Sequence, residues 1–430
     1  MMPSIFKISP SVLKGSIDIP PSKSHTMRAI LFGSLGVGKT VIEGYLKSPD
    51  TWAMVEAMRT FGAQIDVRDT ALIISGLEGK LRACENVIDA GNSGQVLRFV
   101  GCLAALLPTY TVMTGDHSIR HNRPVLPMLE ALTQLGALAV SSRLDGMAPI
   151  IVRGPIQAGY AKLPGEDSQP VSGLLIAAAF LHGTTHLEVT QPGEKPWIDL
   201  TLAWLNKLGA RVTHQNYERY TITGPLSYPG FSLTVPGDFS SAAFPLVAAL
   251  ITQSSLTLNN LDLDEVQGDK KMIDVLENMG ASLIYNRIGK ALTVYPTKRL
   301  QGVTIDANEI IDAVPVLAVM GCFAEGKTEI INAAIARHKE SDRLRAITSE
   351  LRKMGACIEE HEDRLIITEA PLKGATMSSH SDHRIAMALS VAALGAKGDS
   401  RIEGVECIAK SYPGFSVAFQ SLGAQMEETP

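Results

Sequence analysis

The chain has 430 residues, of which 45% are hydrophobic and 19% charged, with a formal net charge of −5. This length and apolar share fit two or three well-filled domains and exclude a long disordered chain, while the mildly acidic balance excludes a general nucleic-acid or membrane surface, so that any cationic site must be local. Five cysteines without a C-x-x-C pair exclude a disulfide frame; residues 1–10 lack the pattern of a secretion signal and no apolar run reaches about eighteen residues, so a soluble cytoplasmic protein is expected.

Taken in chain order, the first twenty residues read as a strand that can pair with either half of the molecule, and Ile19-Pro20-Pro21-Ser22 marks a first crossing. Ser22-Lys23-Ser24-His25 then opens an apolar run that reads as a buried helix. A β-branched strand follows at Thr40-Val41-Ile42, and a second helix ends at Gly62-Ala63. The same signals recur. Openings at Asn92-Ser93-Gly94-Gln95, Ser168-Gln169, Asp238-Phe239-Ser240-Ser241, Ile311-Asp312 and Ser381-Asp382-His383-Arg384 lead into runs such as Phe99–Leu107, Leu174–Leu181, Ala242–Leu250 and Ile385–Leu394. Further helix ends fall at Gly136-Ala137, Gly209-Ala210, Gly280-Ala281, Gly355-Ala356 and Gly423-Ala424. Successive glycines of these pairs lie 74, 73, 71, 75 and 68 residues apart, so one α/β unit is expected six times, each glycine capping a helix ahead of paired strands. Val235-Pro236-Gly237-Asp238 is the second crossing, and six units divide as three and three.

The openings also indicate where chemistry is expected. Ser, Asn and Asp are natural N-caps, and helix starts favour anions, but capping does not explain cations there, which oppose the helix dipole. Lys23, Arg28, Arg98 and Arg384 stand in or just after openings, which predicts an anion held among them. Arg120 and Arg123, the run Arg337-His338-Lys339-Glu340-Ser341-Asp342-Arg343, and Lys410 extend the set. Arg forks match carboxylate and phosphate oxygens, whereas Lys supplies a point charge and exchanges a proton. Asp312 and Glu340, beside cations, are candidates for acid and base work. A solvated surface charge accounts for any one of these residues taken alone; their recurrence at repeat starts favours the site.

Other motifs are weaker. Gly33–Thr40 and Gly321–Thr328 match G-x-x-x-x-G-K-[ST], but a phosphate loop follows a strand and opens a helix, and here the order is reversed. His117 with His121, and His380 with His383, lack a third ligand at recognisable spacing, so no metal is expected. Cys102 reads as core, and no G-x-S-x-G elbow is present.

Pro21-Ser22-Lys23-Ser24-x-x-x-Arg28, Gly91-Asn92-Ser93-Gly94-x-x-x-Arg98, Arg120-x-x-Arg123-Pro124, Lys339-Glu340-Ser341-Asp342-Arg343 and Asp382-His383-Arg384 together resemble the 5-enolpyruvylshikimate-3-phosphate synthase family, in order from about residue 7 to about residue 417. The resemblance implies the two-domain enolpyruvyl transferase fold, each domain built of three βαβαββ units with buried parallel helices inside sheets. It implies an N-terminal domain over 22–236, a C-terminal domain of 1–21 plus 237–430, a hinge at 19–22 and 235–238, and a cleft that closes on substrate. The implied reaction moves the enolpyruvyl group of phosphoenolpyruvate to the 5-hydroxyl of shikimate 3-phosphate, in a monomer without metal or organic cofactor. By position, Lys23, Ser24, Arg28, Ser168, Gln169, Asp312, Lys339 and Trp197 are implied to meet shikimate 3-phosphate. Lys23, Asn92, Gly94, Arg120, Gln169, Arg343, Arg384 and Lys410 are implied to meet phosphoenolpyruvate or its leaving phosphate. Asp312, Glu340 and Lys23 are implied to be catalytic.

Gln95, Phe99, Asp167 and Glu194 depart from the family pattern, and an acid at Asp167 or Glu194 would repel phosphate unless cations such as Lys195 compensate or the local alignment shifts by a residue. Trp197 is read either as an aromatic wall for the shikimate ring or as core. The sister family, UDP-N-acetylglucosamine enolpyruvyl transferase, has Asn after the first-repeat Lys and usually a Cys in the loop corresponding to Thr114–Arg123; this chain has Ser24 and no such Cys. A non-catalytic repeat protein would need none of Lys23, Asp312, Glu340 and Arg384.

Overall fold

Twenty-four strands form six four-stranded sheets in a computed structural model that describes residues 4–429. Each sheet holds one parallel and two antiparallel pairs. In one of them, Tyr160–Pro164 runs parallel to Gly183–Thr190, which pairs antiparallel with Arg219–Gly224, itself antiparallel to Arg211–Gln215. The buried helix Ser168–Ala178 makes the crossover that a parallel pair requires, and a second helix, Lys195–Lys207, precedes the hairpin. The unit is βαβαββ, and the expectation of six α/β repeats is met.

The chain separates into two compact units, Pro21–Val235 and the residues up to Pro20 taken with Pro236 onward. Each has its own apolar core. Pro21–Val235 completes its first sheet by placing Ser232–Thr234 parallel to Lys39–Glu43. In the other unit, the initial segment holds two strands rather than the single one expected. Lys14–Asp18 lies parallel to Ser255–Asn259, and Ile5–Ser9 is inserted antiparallel between Ser400–Glu403 and Gln425–Thr429. Phe6 and Ile8 point into the core, at 2% and 1% exposure.

Every one of the six Gly-Ala glycines has a positive φ, between 85° and 101°. The alanine after each donates its N–H to the carbonyl five residues back, from Ala63 to Met58 through Ala424 to Phe419. This is the Schellman closure, and it needs a residue without a Cβ penalty in the left-handed region. The helices that follow the polar openings are buried along nearly their whole length, as Lys23–Leu35, Phe239–Ile251 and His383–Gly395 show. Both Walker-like segments run from the end of such a helix into a strand, Lys39–Glu43 and Lys327–Ile331, so they are helix-to-strand turns. Two helix starts are irregular. A π-helical segment occupies Val96–Val100, and a 3-10 turn at Ile311–Ala313 leads into Val314–Gly321.

Candidate active site

In Pro21–Val235 the starts of three buried helices are tied together by side chains. Gln95 donates its amide to the Ser24 hydroxyl at 3.1 Å, and Arg98 Nη1 donates to Gln169 Oε1 at 3.3 Å. The backbone is tight here. A Cβ on Gly94 would lie 2.5 Å from Arg123 Nη1, 2.8 Å from Gln169 Oε1 and 2.9 Å from Arg98 Nη1, so glycine lets these side chains converge. Lys23 Nζ is 3.4 Å from the buried Asp50. Asn92 donates to Asp116 and to Ser118, fixing the turn before the short helix His117–His121 that bears Arg120. Arg120 Nη1 donates to the Gly115 carbonyl at 2.6 Å.

Arg28 is 2% exposed and lies over the Phe99 ring, 5.0 Å from its centroid. Its donors reach neutral acceptors: Thr201 Oγ1 at 2.7 and 3.2 Å, the Ser24 carbonyl at 3.3 Å and the Trp197 carbonyl at 3.4 Å. Among the described residues no carboxylate pairs with it. Burial alone pushes its pKa down to about 9, a measure of how poorly solvated the charge is. A buried cation served only by neutral groups is suited to an anionic ligand.

The departures from the family pattern find structural roles. Asp167 caps the helix Ser168–Ala178, accepting from the Gln169 N–H at 3.0 Å, and pairs with Arg98 at 3.0 Å. Glu194, 1% exposed, accepts both the N–H and the hydroxyl of Ser168, each at 2.9 Å. Arg98 therefore compensates Asp167, while Lys195 lies over the Tyr217 ring. The Ser168 hydroxyl proton is already committed, leaving its lone pairs for a ligand. Trp197 is partly buried against the apolar core and presents its carbonyl, rather than its ring, to Arg28.

In the other unit a single guanidinium organises the acids. Arg343, 1% exposed, donates from Nη1 to Asp312 at 2.7 Å, from Nη2 to Glu340 at 2.8 Å and from Nε to Asp382 at 2.9 Å. Glu340 is also paired with Lys410 at 2.5 Å. Arg384 Nη2 lies 3.5 Å from Asp312, and its ring neighbour is Phe244 at 5.8 Å. Burial opposes ionisation of Asp312, but the charges of Arg384, Arg343 and Lys339 outweigh it and hold the carboxyl well below the usual range. Arg343 shows the opposite balance: burial lowers its pKa, and Asp382, Glu340 and Asp312 raise it well above the ordinary value. The structure thus brings together Asp312, Glu340, Arg343, Arg384 and Lys410, and separately Ser24, Gly94, Gln169 and Arg28 with their neighbours. Sequence reading missed Asp50 and Thr201, isolated polar residues whose partners only the fold supplies.

Glu340, Asp382 and His383 offer ligand atoms within 4.8 Å of one another. Both carboxylates already bind Arg343, and Glu340 binds Lys410, so a metal ion would meet fixed positive charge. His380 is engaged by Glu350 at 2.9 Å rather than by His383, and the His117 and His121 rings lie 4.5 Å apart, outside this cluster.

Residues 8–419 match the sequence profile of the family described as EPSP synthase (3-phosphoshikimate 1-carboxyvinyltransferase). A 3-phosphoshikimate 1-carboxyvinyltransferase of Chlamydia caviae is 43% identical over 98% of this chain and 94% of its own length. One of Methanocella arvoryzae is 44% identical over 98% of this chain and 100% of its own length. An EPSP synthase structure from Acinetobacter baumannii covers 99% of this chain and 100% of its own, at 29% identity and a TM-score of 0.83. An enolpyruvyl transferase from Streptomyces tendae, at 18% identity and a TM-score of 0.80, shares the fold.

Proposed function

The chain belongs to the EPSP synthase family, and on that premise we propose that it is a 3-phosphoshikimate 1-carboxyvinyltransferase. It transfers the enolpyruvyl group of phosphoenolpyruvate to the 5-hydroxyl of shikimate 3-phosphate by addition and elimination, releasing phosphate, on the route to chorismate and the aromatic amino acids. The observation that carries the assignment into the site is Arg28, a buried cation whose partners are all neutral.

Arg28, Ser24 and Gln169 take the phosphate and ring oxygens of shikimate 3-phosphate, with Ser168 accepting from one of its hydroxyls, Lys339 near its hydroxyls and Trp197 contributing through its hold on Arg28. Lys23, Asn92, Gly94, Arg120, Gln169, Arg343, Arg384 and Lys410 serve phosphoenolpyruvate. The 5-hydroxyl loses a proton as it attacks C2, C3 gains one, and the tetrahedral adduct then loses phosphate and a C3 proton. Asp312 and Lys23 serve the hydroxyl and Glu340 the methyl carbon. Asp312 is held ionised at neutral pH, as a base must be, and Glu340 touches Lys410, a group that exchanges protons. The cations supply electrostatic stabilisation of the developing charge. We further propose that the protein acts as a cytoplasmic monomer; no helix among the described residues is long and apolar enough to cross a membrane.

Phosphate release is the test, measured with phosphoenolpyruvate plus either shikimate 3-phosphate or UDP-N-acetylglucosamine. Release with the first acceptor alone is expected. Release with the nucleotide sugar alone would move the protein to the sister family, and release with neither would favour a non-catalytic repeat protein.

A further inference from the structure

Asp269 is absent from the expectations drawn from sequence and has no part in the reaction above. It lies in Gly268-Asp269-Lys270-Lys271, ahead of the helix Met272–Asn278, with φ of 60°, a left-handed conformation that is costly for a residue with a side chain. The residue is 1% exposed, and among the described residues neither carboxyl oxygen has a partner in good hydrogen-bond geometry. The groups that face it are Ser240 and Asp238 at the start of the helix Phe239–Ile251, Asp312, and Arg384. The lysines beside it are directed elsewhere. Lys270 donates to the Leu263 and Glu265 carbonyls at 2.8 and 2.9 Å, and Lys271 pairs with Glu309.

Arg384 is the counterpart. It is 2% exposed, its Nε and Nη1 donate to nothing among the described residues, and its Nη2 reaches only toward Asp312. A buried carboxyl with only the Ser240 hydroxyl beside it as a neutral donor and a buried guanidinium with unused donors therefore share one neighbourhood. Burial first, then the charge of Asp312, pushes the Asp269 carboxyl up to about 8, against the pull of Arg384.

We propose that Asp269 is a positioning residue for the anionic substrate: as a neutral acid it leaves the Arg384 donors open to the ligand, and on ionising it draws the guanidinium to itself and adds a charge that repels the ligand. The proposal rests on the reading that Arg384 binds phosphoenolpyruvate. It differs from a packing role, which would carry no dependence on pH in this range.

The experiment follows KM for phosphoenolpyruvate at saturating shikimate 3-phosphate from about pH 6.5 to about pH 9.5, in the native protein and Asp269→Asn. One titration near pH 8 makes the native KM rise about tenfold between pH 7 and pH 9, whereas the Asn variant stays within about twofold. An equal rise in both, a flat native profile, or a folded Asn variant without turnover at any pH would overturn the proposal. Melting temperature across pH supplies a readout independent of catalysis. A carboxyl whose pKa is raised on folding contributes stability that is full below the unfolded value and is lost as pH rises through the folded one. The advantage of Asp269→Asn in melting temperature should therefore grow from about pH 4 to about pH 8 and then level off; an advantage that does not grow would also overturn the proposal. If Asn does not fold, Asp269→Ser carries both measurements. Native protein that releases no phosphate would defeat the functional reading, while the melting curves would still decide whether Asp269 is neutral.

Discussion

Arg28 separates binding from stability at the scale of one residue. Its charge is buried against a hydroxyl, two carbonyls and a ring, so the empty protein carries a desolvation cost that a bound phosphate offsets. Arg28→Met should leave the unliganded melting temperature unchanged or slightly higher while raising KM for shikimate 3-phosphate about a hundredfold, roughly 2.8 kcal/mol. A large drop in melting temperature would mean that the cation is structural. Asp312→Ala should instead reduce turnover about a thousandfold with KM changed only a few-fold, as expected for a general base, and unchanged turnover would remove its role. Because Asp312 is held well below the usual carboxylate range, it stays ionised through neutral pH, and an acid limb of activity above about pH 5 belongs to another group. Arg384 was legible in the sequence because a cation at the opening of a buried helix opposes the dipole, and Asp312 and Glu340 were legible because they are carboxylates in segments that also carry candidate site cations. Asp50, Thr201 and Asp269 were not, since nothing local sets them apart from ordinary surface residues; their significance comes from partners or neighbours that the fold alone supplies.

At the scale of elements, the Gly-Ala ends were legible because the left-handed cap demands a specific residue at a specific place. Gly209 has φ of 85° and no atom within 4 Å of an added Cβ, so Gly209→Ala bears only the backbone penalty, about 1–2 kcal/mol, or a few degrees in melting temperature. Gly224 answers to a different constraint. An added Cβ would lie 2.4 Å from the Leu181 carbonyl oxygen and 2.5 Å from that of Ala179, so Gly224→Ala should cost about 3 kcal/mol or more. Denaturant unfolding of the two variants should separate them in that order, and equal losses would mean that the backbone at Gly224 yields. The π-helical segment at Val96–Val100 and the 3-10 turn at Ile311–Ala313 were not legible. An extra or tightened residue leaves the apolar pattern almost unchanged when the helix is buried on every side.

For the whole molecule, the repeat count was readable from spacing, whereas the closure of the sheets was not, because strand pairing across hundreds of residues leaves no local mark. Pro21–Val235 completes its three sheets with its own strands, while the other unit depends on Ile5–Ser9 and Lys14–Asp18 for two of its sheets. Residues 21–235 expressed alone should melt cooperatively in a calorimeter; residues 236–430 alone should not, and should recover on adding a peptide of residues 4–20. Cooperative melting of 236–430 without the peptide would show those strands to be dispensable. The inserted strand also has a consequence during synthesis. Residues 5–9 leave the ribosome long before their partners at 400–403 and 425–429 are made. At roughly 5–20 residues per second, that segment waits on the order of half a minute or longer, unpaired and carrying Phe6 and Ile8, while Pro21–Val235 folds behind it. The nascent chain must be shielded at this strand for that interval, which makes these few residues a place where a chaperone has much to protect.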